Sequence, residues 1–287
     1  MLWALYSLLS GFFVATDDAL VKKAKINDVR ILAWALSFFA FPVIVPFLFF
    51  IHIPNLDFSF WLTVIFLVPL DIIAILLYIK AVRTSPLSLT VPFLSLTPVF
   101  MIATSFILLN EMPSLAGFFG ILLVAVGAYT LNSGKINSGF LEPFKAILRE
   151  KGSLLMILVA FIYSITANLG KIAVLHSNLF FFLAFDVIIS LLALSIIFFP
   201  AIKNNYNSIK SNIKTLFFIG ILNGLSLLFH LMAIVLVIAP YMISIKRTSS
   251  IFGVVYGHFL FKEKNIMQRL VGAAVMVIGA AIILISQ

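Results

Sequence analysis

Asn110-Glu111, followed by Gly120 and Gly127, returns near the end of the chain as Lys262-Glu263, Gly272 and Gly279. From Glu111 to Glu263, from Gly120 to Gly272 and from Gly127 to Gly279 the offset is a constant 152 residues. Each time the Glu opens the last hydrophobic span of its half. Upstream, Thr84-Ser85-Pro86 finds a counterpart in Ile238-Ala239-Pro240, where another span begins. A chain whose second half repeats the first is expected to fold as two copies of one unit. If each copy crosses a bilayer an odd number of times, the second is inserted upside down. Inverted repeats of this kind build secondary transporters, with the substrate site between the halves near the membrane midplane.

The medium in which the repeat folds follows from composition. Hydrophobic residues make up 63% of the 287 residues and charged ones 10%, against roughly half and a quarter in soluble domains. That excess of Phe, Leu and Ile requires a polytopic membrane protein. Hydrophobicity starts at Met1-Leu2-Trp3 without a basic leader or a small-residue cleavage motif, so the first span is expected to be a permanent helix. With no Cys, disulfides and thiolate metal sites are excluded. The net charge of +9 lies in short loops between spans, which speaks for membrane orientation and against nucleic acid.

A helical span needs about 20 apolar residues. Ten such runs are readable, at 2–21, 30–51, 58–79, 86–109, 113–132, 153–175, 178–200, 213–237, 240–261 and 266–285. The expected fold is an all-α integral membrane protein of ten transmembrane helices in two inverted five-helix repeats. The first repeat takes residues 1–132, a polar linker 133–152, and the second repeat 153–287. Loops after the odd-numbered spans hold Lys22, Lys23, Lys25, Arg30, Lys80, Arg83, Lys135, Lys145, Arg149, Lys151, Lys203, Lys210, Lys214, Lys262, Lys264 and Arg269. Those after the even-numbered spans hold none, apart from Lys171 near the end of span six. Cationic loops stay in the cytoplasm, which places the odd-numbered loops there and both termini outside. Richness in Ile, Lys, Asn and Phe fits an A/T-rich microbial genome and a prokaryotic inner membrane.

Proline and small polar residues gather in the fourth span, where Pro92 and Pro98 flank a stretch containing Ser95 and Thr97. Proline removes a backbone hydrogen bond, and the freed carbonyl is tolerated in a membrane only beside protein or a watery cavity. The two prolines therefore read either as gating points in a cavity wall or as a static kink. Pro42 and Pro46 in span two, and Pro69 in span three, interrupt their helices in the same way.

Charges buried in a span cost several kcal/mol, roughly 2.5–3.5 on insertion scales, and usually face a partner or a pathway. Asp71, Asp186, His230, Lys246 and Arg247 are such charges. At about 1.5 Å per residue, Lys246 and Arg247 lie roughly 9–11 Å from the face where span nine begins, Asp186 about 12 Å and His230 about 10 Å. Asn168 and Lys171 approach the same face. Asp186 reads as the ion-pair partner of these cations more than as a proton carrier, but one carboxylate cannot neutralise Lys246, Arg247 and Lys171 together. The surplus positive charge predicts an anionic substrate group, for which Arg offers a bidentate fork. Lys246, Arg247, Asn168, Ser95 and Thr97 are the expected substrate contacts. Asp186, His230, Asp71 and Lys171 are expected to set charge balance or coupling. Asp71 sits near the cytoplasmic third, with Lys22, Lys23 or Arg83 as candidate partners and a structural pair or gate as its reading. Asp17 and Asp18 fall at a helix end, where solvent is expected to cover them. The glycines seven apart serve helix contacts within the bundle or a homodimer. Trp3, Trp34 and Trp61 fall near predicted interfaces, where tryptophan anchors helices.

Ala81, Ser85-Pro86-Leu87, Leu96-Thr97-Pro98-Val99-Phe100, Asn110-Glu111 and the two glycines resemble the EamA family of the drug/metabolite transporter superfamily. The second half repeats the resemblance with Arg247-Thr248-Ser249, Phe252-Gly253, Glu263 and its glycines. It covers essentially the whole chain and implies ten helices in two inverted halves, a central cavity and alternating access. Such proteins typically move small metabolites, often exporting amino acids or related compounds, without hydrolysing ATP. Lys246-Arg247 also resembles the Lys-Arg pair in the ninth helix of the sugar-phosphate and nucleotide-sugar branches, where it binds phosphate. Family members commonly carry cytoplasmic termini, against the charge count here.

Secondary transport of a small anionic or zwitterionic metabolite, with the lipid bilayer as its other partner, is the expected function. Obligate exchange of phosphorylated metabolites is the alternative within transport. An integral-membrane enzyme would need paired carboxylates at ligand spacing, H-E-x-x-H or G-x-S-x-G, and none is present. No catalytic residue, metal or cofactor is therefore expected. A scaffold or receptor would have no use for buried charge around a kinked cavity.

Overall fold

Each apolar run satisfies its backbone internally, as lipid demands, and in the computed structural model every regular element among the described residues is a helix. The structure describes residues 1–26, 28–48, 52–85, 91–130, 151–261 and 266–286, leaving aside the side chains at 91, 92, 254, 257–261 and 266–270. The first half consists of α1 (Leu2–Lys23), α2 (Val29–Leu48), α3 (Phe58–Thr84), a 3-10 segment (Val91–Leu96) running into α4 (Thr97–Leu109), and α5 (Leu115–Thr130). The second half consists of α6 (Lys151–Leu175), α7 (Leu179–Ile197), two short helices α8 (Phe199–Asn204) and α9 (Tyr206–Ser211), α10 (Ile213–Ile234), α11 (Ala239–Arg247), α12 (Ser250–Phe261) and α13 (Ile266–Ile285).

Six of these helices, α1, α2, α3, α6, α7 and α10, are long and apolar enough to cross a membrane. Shorter apolar helices span Phe93–Leu109, Leu115–Thr130 and Val271–Ile285. Besides the seventh, which breaks near its end at Phe198, two expected spans are not continuous α-helices. The fourth changes from 3-10 to α at Thr97, with Pro98 in the first turn of α4, where proline's missing N–H would have had no partner anyway. The ninth breaks after Arg247 and restarts at Ser250. Pro42, Pro46 and Pro69, by contrast, lie inside unbroken α2 and α3. Residues 133–150 of the expected 133–152 linker, Pro86, Lys262 and Glu263 fall outside the described residues, while Lys151 and Gly152 lie in α6.

Helix ends are set locally. Asp57 caps α3 by accepting from Phe60 N–H at 2.9 Å, and Asn178 caps α7 by accepting from Phe181 N–H at 2.8 Å. At the other end of α4, Asn110 takes a left-handed conformation (φ 56). Its N–H donates to Phe106 O at 3.0 Å, the bond of a left-handed C-terminal cap, and Glu111 N–H reaches back to Ser105 O at 3.2 Å.

The halves interlock. α1 lies along α10 and α3 along α6, while α11 packs on α1 and the 3-10 segment on α6. Exchanging the halves turns each of these pairs into the other. α5 and α13, which exchange with one another, pack antiparallel through their glycines. A Cβ on Gly120 would sit 2.9 Å from Gly279 O, and one on Gly127 2.8 Å from Gly272 O. The repeated glycines thus serve a contact inside the bundle, where small residues let two backbones approach. Ser10 and Ser226 tie α1 to α10 reciprocally, each hydroxyl donating to the other's carbonyl at 2.8 and 3.0 Å. Phe12, Phe38, Phe66, Phe106 and Phe119 are exposed on the outside, as lipid-facing bulk should be. Trp61 is exposed and Trp34 donates to Ser195 Oγ at 3.0 Å, but Trp3 is buried at 4%. Trp3 packs among the core residues where α1 meets α10 and α11 and does not serve as an interfacial anchor.

Candidate functional site

Charge buried between helices needs a partner or water, so the interior polar residues locate the site. They surround a cavity of about 210 Å³. Its wall takes residues from α1, α2, α3, the 3-10/α4 junction, α6, α7, α10 and α11, while α5 and α13 contribute none. The repeat offset of 152 runs through this wall, pairing Val14 with Thr166, Asp71 with Asn223, Ile75 with Leu227, Tyr78 with His230 and Leu94 with Lys246. Equivalent positions of both halves thus face one space, with different chemistry.

Of the residues singled out in the sequence, Lys246, Arg247, Thr97, Asp71, Asp186 and His230 line the cavity. Arg247 donates to Thr97 Oγ1 at 3.2 Å, joining the start of α4 to the end of α11. Arg247 Nε and Ser95 Oγ are buried without a hydrogen-bond partner. Lys246 Nζ lies 3.1 Å from His230 Nδ1. The break after Arg247 ends α11 beside the cavity, so the two cations sit at a helix C-terminus, where the backbone dipole favours positive charge. Pro98 is buried at the start of α4.

Asn168 and Lys171 belong elsewhere. Asn168 is fully buried, accepting from Ser105 Oγ at 2.7 Å and donating to Thr104 Oγ1 at 3.1 Å and Ser164 O at 2.7 Å. Its amide joins α4 to α6 and does not line the cavity. Lys171 meets Glu111 Oε1 at 2.5 Å and donates to Val237 O at 2.7 Å. The other oxygen, Glu111 Oε2, accepts from Ala239 N–H at 2.8 Å. One carboxylate thus clamps the α4–α5 turn, the end of α6 and the α10–α11 connection.

The expected surplus of positive charge is absent. With Lys171 spent on Glu111, Lys246 and Arg247 remain as the Lys and Arg of the cavity wall among the described residues. Asp17 and Asp18, expected in solvent, are buried at 7% and 4%. α1 carries them inward because it continues past them to Lys23. Asp17 lines the cavity with Oδ1 unpartnered. Asp18 accepts from Tyr78 OH and lies within electrostatic reach of Arg247 and Lys246. Asp186 is not their ion-pair partner: among described residues the ion pairs are Arg30–Asp28, Lys171–Glu111 and His176–Asp57. Asp71 is not paired with Arg83, which donates to the carbonyls of Val21 and Ala24. Asp71 and Asp186 neighbour one another, with Thr166 beside Asp71. The polar wall residues Tyr78 and Asn223 were readable in the sequence as the offset partners of His230 and Asp71. The depth of Asp17 and Asp18 was not, because only the tilt and packing of α1 bury them.

A model of the EamA-like transporter family matches residues 1–133 and 150–285. No curated protein matches the chain in sequence. Among solved structures, it is similar to one described as "Crystal structure of protein", with a TM-score of 0.72 and 13% identity over 99% of this chain and 96% of that one. At that identity the likeness speaks for fold alone.

Proposed function

The chain belongs to the EamA-like transporter family, and from that premise we propose that it is a secondary active transporter of small zwitterionic or anionic metabolites, amino acids and related compounds among them, working in efflux. It crosses a prokaryotic plasma membrane ten times, in two inverted five-helix halves at 1–132 and 153–287 joined by a polar linker, with the odd-numbered loops in the cytoplasm. The halves rock about the shared cavity, and the 3-10 start of the fourth span, with Pro92 and Pro98, and the break after Arg247 in the ninth provide the give.

The observation that carries this reading is a cavity between two repeated halves that holds Lys246 and Arg247 together with carboxylates. Arg247 Nε is unpartnered, and beside Thr97 it offers an acidic substrate group a charge-assisted contact. The carboxylates facing it favour a zwitterion over a multiply charged phosphate ester, which weakens the reading as a phosphometabolite exchanger. A cavity of about 210 Å³, below the roughly 300–1,000 Å³ of pockets for drug-sized ligands, suits a small metabolite.

Thermal unfolding of the purified protein against amino acids, organic acids, sugar phosphates and nucleotides tests this. A ligand that binds only the native state raises the midpoint by mass action. Carboxylate-bearing zwitterions are expected to stabilise the protein. Arg247→Ala is expected to weaken that binding by roughly thirty-fold or more, corresponding to about 2 kcal/mol or above for a buried charged contact. Stabilisation by phosphate esters alone, or full response in both Lys246→Ala and Arg247→Ala, would reject the assignment.

A further inference from the structure

The repeat offset of 152 sets Tyr78 of α3 against His230 of α10, and Asp18 of α1 against Gly170 of α6. In the first half the Tyr78 hydroxyl donates to the Asp18 carboxylate. In the second half His230 and Gly170 both line the cavity, and α10 adjoins α6 as α3 adjoins α1. The second half thus keeps a hydrogen-bonding ring at one position and lacks the carboxylate at the other. Open space stands where that carboxylate would be. Among the described residues, a Cβ built on Gly170 meets only Phe182 Cε1, at 4.0 Å.

The imidazole is set to serve that space. Its Nδ1 lies 3.1 Å from Lys246 Nζ. An ammonium group only donates, so the ring nitrogen facing it accepts, and a neutral ring then carries its proton on Nε2. A doubly protonated ring would set one donor against another. Nε2 has no hydrogen-bond partner among the described residues and, unlike Arg247 Nε, is not sealed off from the cavity. Building on the transport reading above, we infer that the acid group of the substrate docks beside Gly170, in the place that the Asp18 carboxylate holds in the first half, and that His230 donates to it from Nε2–H. Lys246 has further donors for the same group, since Nδ1 takes only one of its protons. One half carries its carboxylate covalently, and the other takes it from the substrate. The ligand class is a small carboxylic acid, amino acids included.

Nitrogen NMR spectra of the full chain with labelled histidine, in lipid vesicles, test this with alanine and leucine as probes. The His230 signals are those missing from His230→Asn. They are expected to show an unprotonated Nδ1 and a protonated Nε2, and either probe should move the Nε2 signal. Gly170→Asp supplies the missing carboxylate from the protein itself. It should give the shifted Nε2 signal with no probe present and weaken stabilisation by alanine and leucine about ten-fold or more, the worth of a hydrogen bond to a charged group. Gly170→Asn brings the same bulk without the charge and should leave the Nε2 signal where the probe-free wild type has it. His230→Asn keeps an acceptor for Lys246 but loses the Nε2 donor, and should weaken the probes about ten-fold. His230→Gln, whose amide N–H falls near the Nε2 position, should recover much of that loss, whereas a purely structural role would reverse the order of the two. A proton on Nδ1, an Nε2 signal that neither probe moves, or like behaviour of Gly170→Asp and Gly170→Asn overturns the inference. If the probes stabilise the protein through Arg247 while the His230 signals stay still, the docking place falls and the transport reading stands.

Discussion

Asp57 stands at the entrance of α3, before its apolar span begins, where its carboxylate accepts from Phe60 N–H at 2.9 Å and meets His176 Nδ1 at 2.7 Å. The Phe60 N–H foremost, and His176 after it, hold its carboxyl below the usual range. A carboxyl lowered in the folded state adds stability above its unfolded value, about 3.9, and that stability is lost as pH falls through the lower folded value. Asp57→Asn keeps the capping acceptor and removes the charge. It should lower the thermal midpoint slightly at pH 7, and the gap to wild type should close as pH drops below the carboxylate range. A gap that persists in acid would assign the effect to geometry and not to charge.

Among the elements, α5 and α13 show how a repeated glycine is used. A Cβ on Gly127 would lie 2.6 Å from Met276 N, a backbone atom that cannot turn aside. Gly127→Ala is therefore expected to force the helices apart at a cost of about 1–3 kcal/mol. Gly253 of α12 has nothing within 4 Å of its would-be Cβ. Gly253→Ala should be neutral or gain up to about 1 kcal/mol from helix propensity. Thermal unfolding of the two variants side by side checks the contrast, and equal losses would contradict the packing described. The same comparison separates glycines that a contact needs from those that merely occupy a helix.

At the scale of the whole molecule, Glu111 binds one half to the other. Its oxygens hold Lys171 at 2.5 Å and Ala239 N–H at 2.8 Å, so the first half's last turn grips both the opening helix and the α10–α11 connection of the second. Lys171 is buried at 6%, and removing its counter-ion strands a charge, which typically costs about 3–5 kcal/mol. Glu111→Gln should lower unfolding stability by that order. Adding Lys171→Met should restore much of it, because the pair then leaves together. If the double variant is as unstable as the single one, the clamp acts through its backbone contact with Ala239 and not through the ion pair.

The sequence alone determined the medium, the helical class, the repeat and most of the cavity's charged residues. Those follow from composition, periodicity and the offset that links Glu111 to Glu263, all of which are local or self-referential properties of the chain. Gly120, Gly127 and Gly279 announced close packing, but their spacing was equally suited to a bundle or a dimer, and only the α5–α13 contact settled it inside the molecule. Depth along a helix put Lys171 in the same layer as Lys246, yet it could not supply the azimuth that turns Lys171 to Glu111 and Lys246 to His230. Asp17 and Asp18 lie within a turn or two of the end of α1 and still face the interior. Which side of a helix meets which neighbour depends on how the helices pack against one another, and pairing of charges depends on that facing. Partners for buried charge were therefore decided by the tertiary structure.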